Sequence, residues 1–193
     1  MARRYHHGDL RQAVLTAAVE VLGESGPAAV NLRDLARRVG VSHAAPAHHF
    51  GDRAGLLTAV AAQGFDLLAD ALEELPPSPD LLEAGVAYVS FAVEHRAHFE
   101  VMFRADLLRG DDPDLRAARE RGRQALDWAV AGFRDGSADP AVAGAAAWSL
   151  MHGFATLWLQ RALPADLGDD VRTAARSVSE LLVRGAHQPP PSG

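Results

Sequence analysis

Apolar positions recur at helical spacing along most of the chain. Leu10, Val14, Ala17, Ala18 and Val21 share one face of a segment from about Asp9 to Glu24, which stops at Gly26-Pro27. Leu32, Leu35, Ala36 and Val39 line a short second helix. After Asp52, which is placed to cap, Leu56, Leu57, Val60, Phe65, Leu68 and Leu72 carry a long helix to about Leu75. Pro76-Pro77 ends it, because proline cannot continue the hydrogen-bond ladder. One device then repeats. Ser78-Pro79, Asp112-Pro113 and Asp139-Pro140 each pair a capping side chain with proline at the first helical position, where its missing N–H costs nothing. They predict helices near Pro79–Glu94, Pro113–Arg134 and Pro140–Leu163, with another over Arg96–Leu108. A last helix, about Asp169–Arg184, sets Val171, Ala174, Ala175, Val178, Leu181 and Leu182 on one side and closes at Gly185. Apolar–polar alternation persists nowhere, so no strand is expected. The pattern predicts an all-α chain of about nine helices.

The stretch Asn31–Phe50, NLRDLARRVGVSHAAPAHHF, reads as two short helices around a tight turn. Asn31 is a favourable N-cap, and Asp34 three residues on can complete a box-like cap. Gly40 stands where the first helix must stop, and only glycine takes a left-handed backbone there without steric cost. Val41 plugs the turn, and Ser42 offers a hydroxyl to the N–H groups of the next helix. This is the helix-turn-helix pattern, whose second helix enters the DNA major groove. That second helix is unusual. It offers Ser42, three histidines and three alanines rather than the Arg, Lys, Asn or Gln that pair bidentately with base edges. Base readout should be lean, with phosphate contacts and DNA shape carrying more of the affinity. Pro46 should force a tightened first turn or a late helix start. His43 and His48 are five apart and share no helical face well, so polar groove contacts fit them better than metal ligation.

Charge sharpens this picture. Residues 1–60 carry seven Arg against five acids, and the remainder twelve Arg against twenty acids, for a net charge of −6. A mildly basic head on an acidic body suits a protein that presents its head to an anionic polymer. The segment MARRYHH reads as an arm in which Arg3, Arg4 and Tyr5 could reach phosphate or the minor groove. With no cysteine, disulfides and sulfur ligation are excluded. No apolar run is judged long enough to span a bilayer and no signal peptide is seen, so a cytoplasmic protein without a membrane partner is expected. No nucleophile elbow, Gly-rich phosphate loop, metal-spaced His/Glu motif or paired carboxylates are found. No enzyme, catalytic residue, metal or cofactor is therefore expected.

In the body, PAVAGAAAWSLMHGFATLWLQ is apolar nearly all round. Val142, Ala146, Ser149, Gly153 and Thr156 form a narrow seam of mostly small side chains that lets another helix approach. With Val178, Leu181 and Leu182 of the last helix, it can supply half of a four-helix bundle completed by a second subunit. Packing within one chain is the alternative. His152 is read as a hydrogen-bonded interior residue. Tyr88, Phe91, Phe99, Met102, Phe103, Trp128, Phe154 and Trp158 are the large side chains of the body. They either fill the core or line a pocket for an apolar or aromatic ligand.

These residues carry a family resemblance. Glu24-Ser25-Gly26, Leu32-Arg33-Asp34-Leu35-Ala36, Gly40-Val41-Ser42, His49-Phe50 and Arg53 before Leu56-Leu57 resemble the DNA-binding domain of TetR/AcrR-type transcriptional regulators. Tyr5-His6-His7-Gly8-Asp9-Leu10, His43-Ala44-Ala45-Pro46 and Trp148-Ser149-Leu150-Met151-His152-Gly153 are similar to a branch named for a Trp-His-Gly C-terminal signature. The resemblance implies a three-helix head with the helix-turn-helix and a helical-bundle body for dimerisation and ligand binding. Residues 1–52 would be the DNA-binding domain, 53–75 a connecting helix, 76–186 the dimerisation and ligand-binding domain, and 187–193 a disordered tail. It implies a homodimer on a near-palindromic double-stranded operator, and a small-molecule effector that changes the spacing of the heads. By position, Asn31, Arg33, Ser42, His43, Ala44, Ala47, His48 and Arg53 would face DNA. The family usually has Tyr where this chain has Ala47, so a phosphate contact of about 1 kcal/mol is lost. A helical ligand-binding or interaction module without specific DNA binding is the competing reading.

Overall fold

The computed structural model describes residues 7–77, 80–130 and 139–186, with side chains at all of these except 7–9, 130, 140 and 182–186. The arm residues Arg3, Arg4, Tyr5 and His6, the Ser78-Pro79 helix start, residues 131–134 of the seventh helix, the tail and the Leu182 side chain lie outside this set. Among the described residues there are nine α-helices, three short 3-10 turns and no strand. The helices are α1 (His7–Ser25), α2 (Leu32–Val39), α3 (Ala44–Phe50), α4 (Arg53–Glu73), α5 (Leu81–Glu94), α6 (Arg96–Met102), α7 (Pro113–Val130), α8 (Pro140–Leu159) and α9 (Val171–Ala186).

Side-chain caps explain most of the helix starts. Asp112 accepts the Leu115 N–H at 3.0 Å, and Asp139 the Ala141 N–H at 2.9 Å, as the Asp-Pro pairs predict. Two expected starts shift. α5 is capped by Asp80, whose carboxylate takes the Glu83 N–H at 2.7 Å, and α9 by Asp170, which takes the N–H groups of Arg172 and Thr173. Two expected ends shift as well. The Arg96–Leu108 helix stops at Met102, and a separate 3-10 turn spans Ala105–Leu107. There Arg104 grips Asp106 through two hydrogen bonds of 2.9 and 2.8 Å, a pairing two residues apart that a continuous helix would separate. α8 stops at Leu159 rather than Leu163. Arg161 takes a left-handed φ of 54°, and the Ala162 N–H folds back on the Leu157 carbonyl.

The chain divides into two compact units. The first comprises residues 1–66 and 95–120, the second 67–94 and 121–193. In the first, Val14, Ala18 and Leu22 of α1 are buried with Leu35 and Ala36 of α2, Phe50 of α3, Leu56, Leu57 and Val60 of α4, and Val101 and Met102 of α6. Compactness thus groups α6 with the N-terminal helices, which the linear order of the sequence does not suggest. In the second unit α5 packs against α9 and α8 and is buried on most of its surface.

α4 and residues 141–159 of α8 are long and apolar enough, by length and composition, to cross a bilayer, against the expectation that no run qualifies. Alanine, spread among larger apolar residues, raises the hydropathy of both without standing out as a run. In α4 61% of that window is buried inside the chain, but in α8 only 22% is. Ala147, Met151, Phe154 and Ala155 of α8 turn inward, while Val142, Ala145, Ala146, Trp148, Ser149, Leu150 and Leu157 stay exposed.

Candidate nucleic-acid interface

Local chemistry sets the turn between α2 and α3. The Asn31 side chain accepts the Arg33 N–H at 2.9 Å and starts α2. Asp34 pairs with Arg37 at 3.0 Å in place of the expected return bond to Asn31. At the other end Gly40 is left-handed, with φ 71° and ψ 35°. Its N–H bonds the Arg37 carbonyl, and the Val41 N–H reaches the Ala36 carbonyl at 3.0 Å. Both orphan carbonyls are thereby satisfied in a Schellman closure.

α3 begins late, as Pro46 requires. Ser42 does not cap it. His43 is the N-cap, without a side-chain cap bond, and the first helical residue is Ala44. The Ala45 N–H bonds the Ser42 carbonyl at 3.0 Å, a tightened turn. Pro46 is then the third helical residue, where an N–H would have no intrahelical acceptor in any case. Its ring is buried together with Phe50, whose face is covered by the Arg11 guanidinium at 5.6 Å. The opposite side of α3, His43, Ala44, Ala47 and His48, is exposed, as are Ser42, Asn31 and Arg33. His49 is half-buried, its ring 5.8 Å from that of His48.

Arg53 is spent differently. Its guanidinium donates to the Pro27 carbonyl at 2.7 Å, its Nε is buried without a hydrogen-bond partner, and the residue as a whole is half-buried. It ties the start of α4 to the connection before α2.

The corner between α3 and α4 is held by residues that sequence reasoning missed. Asp52 accepts the Gly55 N–H at 3.0 Å. Arg109, from the segment after α6, reaches the Asp52 carboxylate at 2.9 Å, and its own N–H donates to Thr58 Oγ1 at 2.9 Å. Thr58 is buried and donates in turn to the Ala54 carbonyl at 2.7 Å. A Cβ on Gly55 would lie 2.0 Å from the Phe50 carbonyl oxygen, so this close approach requires glycine. No local signal marks Arg109, because its partners lie more than fifty residues earlier in the chain.

The expected pocket residues fall in both units. Phe99, Met102 and Phe103 belong to the first, where Phe103 meets Phe99 and Phe65 edge-on at 5.6 Å each. Tyr88, Phe91, Trp128, Phe154 and Trp158 belong to the second. There the Tyr88 hydroxyl lies 2.9 Å from His152 Nδ1 and accepts from Trp148 Nε1 at 3.2 Å, so Trp148 and His152 converge on one buried tyrosine. Burial holds the His152 imidazole below its ordinary value and Tyr88 far above its own. Phe91 is buried, Trp128 exposed, and Phe154 stacks obliquely on Trp158 at 5.8 Å. Of the expected seam, Val142, Ala146, Ser149 and Leu181 are exposed, and Gly153, Thr156 and Val178 half-exposed. Among the described residues no group of three or more His, Asp or Glu is placed to hold a metal ion.

Comparison with known proteins agrees with this geometry. Residues 14–60 match the family of bacterial regulatory proteins of the tetR type, and residues 81–182 match a tetracyclin repressor-like C-terminal domain. No curated protein sequence matches the chain. A solved protein of unknown function from Rhodococcus sp. RHA1 is 32% identical, with a TM-score of 0.80 over 97% of this chain and 100% of that one. The TetR family transcriptional regulator PfmR from Thermus thermophilus is 26% identical, with a TM-score of 0.66 over 91% and 99%. The multidrug binding protein EbrR, solved with imidazole, shares the fold at 21% identity and a TM-score of 0.63 over 89% and 93%. A capped helix-turn-helix with an open second helix, followed by a matching C-terminal domain over more than half of the chain, leaves one assignment: the chain belongs to the TetR family of DNA-binding transcriptional regulators.

Proposed function

We propose that the protein is a homodimeric repressor that binds a near-palindromic operator and leaves it when a small apolar or aromatic ligand binds the body. The observation that carries this reading is the open face of α3. His43, Ala44, Ala47 and His48 point away from the core on a helix fixed at both ends, with Ser42, Asn31 and Arg33 exposed beside it. Alanine methyls suit thymine methyls, the hydroxyl and imidazoles suit base edges or phosphates, and Arg33 suits phosphate. Arg53 is proposed to act on DNA through position, holding α4 to the Pro27 carbonyl.

The exposed apolar arc of α8, flanked by Leu181 of α9 at 71% exposure, supports a second copy as its cover. The aromatic pair Phe154 and Trp158 supports an aromatic effector held within the second unit, for which Tyr88, Phe91, Trp128, Phe154 and Trp158 are the proposed contacts, while Phe99, Met102 and Phe103 pack within the first. The reading places the protein in the cytoplasm, where the operator is.

Gel shifts with DNA flanking the gene test it. The protein should form one discrete complex, resist excess unrelated duplex, and lose affinity steeply with salt. Equal, weak binding to any duplex would favour the second reading, a helical ligand-binding module. The observation behind that alternative is an α3 face without Arg, Lys, Asn or Gln.

A further inference from the structure

On the exposed face of α3 the groups that can carry charge are two imidazoles, His43 and His48; the rest of that face is alanine. Imidazole is the side chain that ordinarily gains its charge between about pH 5 and 8. We propose that His43 and His48 make operator binding proton-coupled, so that the head grips DNA more tightly as the pH falls through the neutral range. The inference rests on the proposed DNA-binding role of α3 and goes beyond it to regulation.

The surroundings favour proton uptake on DNA. Among the described residues no carboxylate lies within ion-pair distance of His43 or His48. The charged groups that neighbouring elements bring to α3 are largely committed elsewhere. From α1, Arg11 covers Phe50, and Glu20 and Glu24 hold Arg38 of α2 at 3.5 and 3.2 Å. On α2, Asp34 holds Arg37, and Arg33 stays exposed without an ion-pair partner among the described residues. At the start of α4, Asp52 holds Arg109 and Arg53 holds Pro27. His48 has the half-buried His49 ring as its neighbour. Two imidazoles brought against phosphates would therefore meet a strong negative potential with no carboxylate of the described residues already paired to them. Each protonated ring would then displace a condensed counterion, which raises the salt slope by about 0.9 per phosphate neutralised.

The test uses the full chain and an operator selected from random duplexes, with affinity followed by fluorescence anisotropy from pH 8 to pH 6. Linkage makes the change in log K per pH unit equal to the protons taken up. The expected result is at least about a tenfold gain over the two units, which needs an average uptake of only about half a proton per dimer. The salt slope should be steeper at pH 6 than at pH 8. The variant His43→Gln/His48→Gln should lose both dependences, whatever its affinity at pH 8. Isotope-edited NMR of the wild-type imidazoles, free and bound, should show these two rings titrating at higher pH on DNA, a readout independent of any variant. Sequence-specific binding with a flat pH profile, or a profile the double variant retains, overturns the inference while leaving the DNA-binding reading intact. Absence of specific binding at every pH overturns both.

Discussion

The guanidinium of Arg109 lies 2.9 Å from the carboxylate of Asp52, which is also the cap of α4. The Gly55 amide and then Arg109 hold that carboxylate below its ordinary value. Asp52→Ala should cost about 0.5–2 kcal/mol of stability, as loss of a cap does. Arg109→Ala should cost less than about 1 kcal/mol, since the pair is exposed. Its larger effect should be on DNA affinity, through the α3–α4 corner. The sign with pH follows from the lowered value. The contribution of the Asp52 charge is complete above the unfolded carboxylate range near pH 4 and fades as acid titrates the folded group. Urea unfolding of wild type and Asp52→Asn should differ at pH 7 and converge as acid titrates the folded carboxylate.

Gly55 tests the same corner sterically. A Cβ there would stand 2.0 Å from the Phe50 carbonyl oxygen, which is backbone and cannot turn aside. Gly55→Ala should destabilise by about 1–3 kcal/mol, despite the better helix propensity of alanine, and displace α3. Thermal melts and anisotropy with an operator measure both effects. Unchanged DNA affinity would mean that α3 does not depend on this contact.

His98 of α6 is buried and donates Nε2–H toward Gln63 Oε1 at 3.3 Å when neutral. Burial, followed by the neighbouring His95, lowers its pKa to about 4. The unfolded chain takes up this proton near pH 6.5, so it binds more protons than the folded chain between the two values. Stability should be full above about pH 6.5 and fall by up to ~3 kcal/mol by pH 4. His98→Gln should flatten that part of the profile in calorimetric melts.

Gly153 has no atom within 4 Å of where a Cβ would stand, although it lies on the small-residue seam of α8. Nothing within the described chain requires it to be small. A second α8 packed on the seam would. Gly153→Leu should leave the melting of the secondary structure nearly unchanged at high protein concentration but shift sedimentation toward monomer. If wild type itself sediments as a monomer at micromolar concentration, the dimer fails.

The local part of this structure was legible residue by residue. Asn31, Asp52, Asp112 and Asp139 accept amides within a few positions of themselves, Gly40 turns the backbone where it stands, and the sequence displays such devices side by side. Pro46 announced a late start to α3 because the constraint is its own ring. The tertiary part was not legible. Arg109 finds Thr58 and Asp52 only because α6 packs with the head, and nothing periodic encodes a contact across fifty residues. For the same reason Phe99, Met102 and Phe103 read as companions of Tyr88 along the chain yet belong to a different compact unit. Arg53 looked like any basic residue at a helix start. Its burial against Pro27 depends on where the first connection folds. The exposed arc of α8 could not be told from a core helix, since composition does not say which side stays open.

Selection of bound duplexes from random DNA, followed by anisotropy with the selected site, tests the central reading most directly. The full-length protein should enrich a near-palindromic site and bind it as one dimer. Ala47→Glu, which sets an acid on the open face of α3 without touching its buried side, should abolish that binding and leave the fold unchanged. Failure to enrich any sequence, or undiminished binding by Ala47→Glu, would contradict the claim that this face of α3 reads DNA.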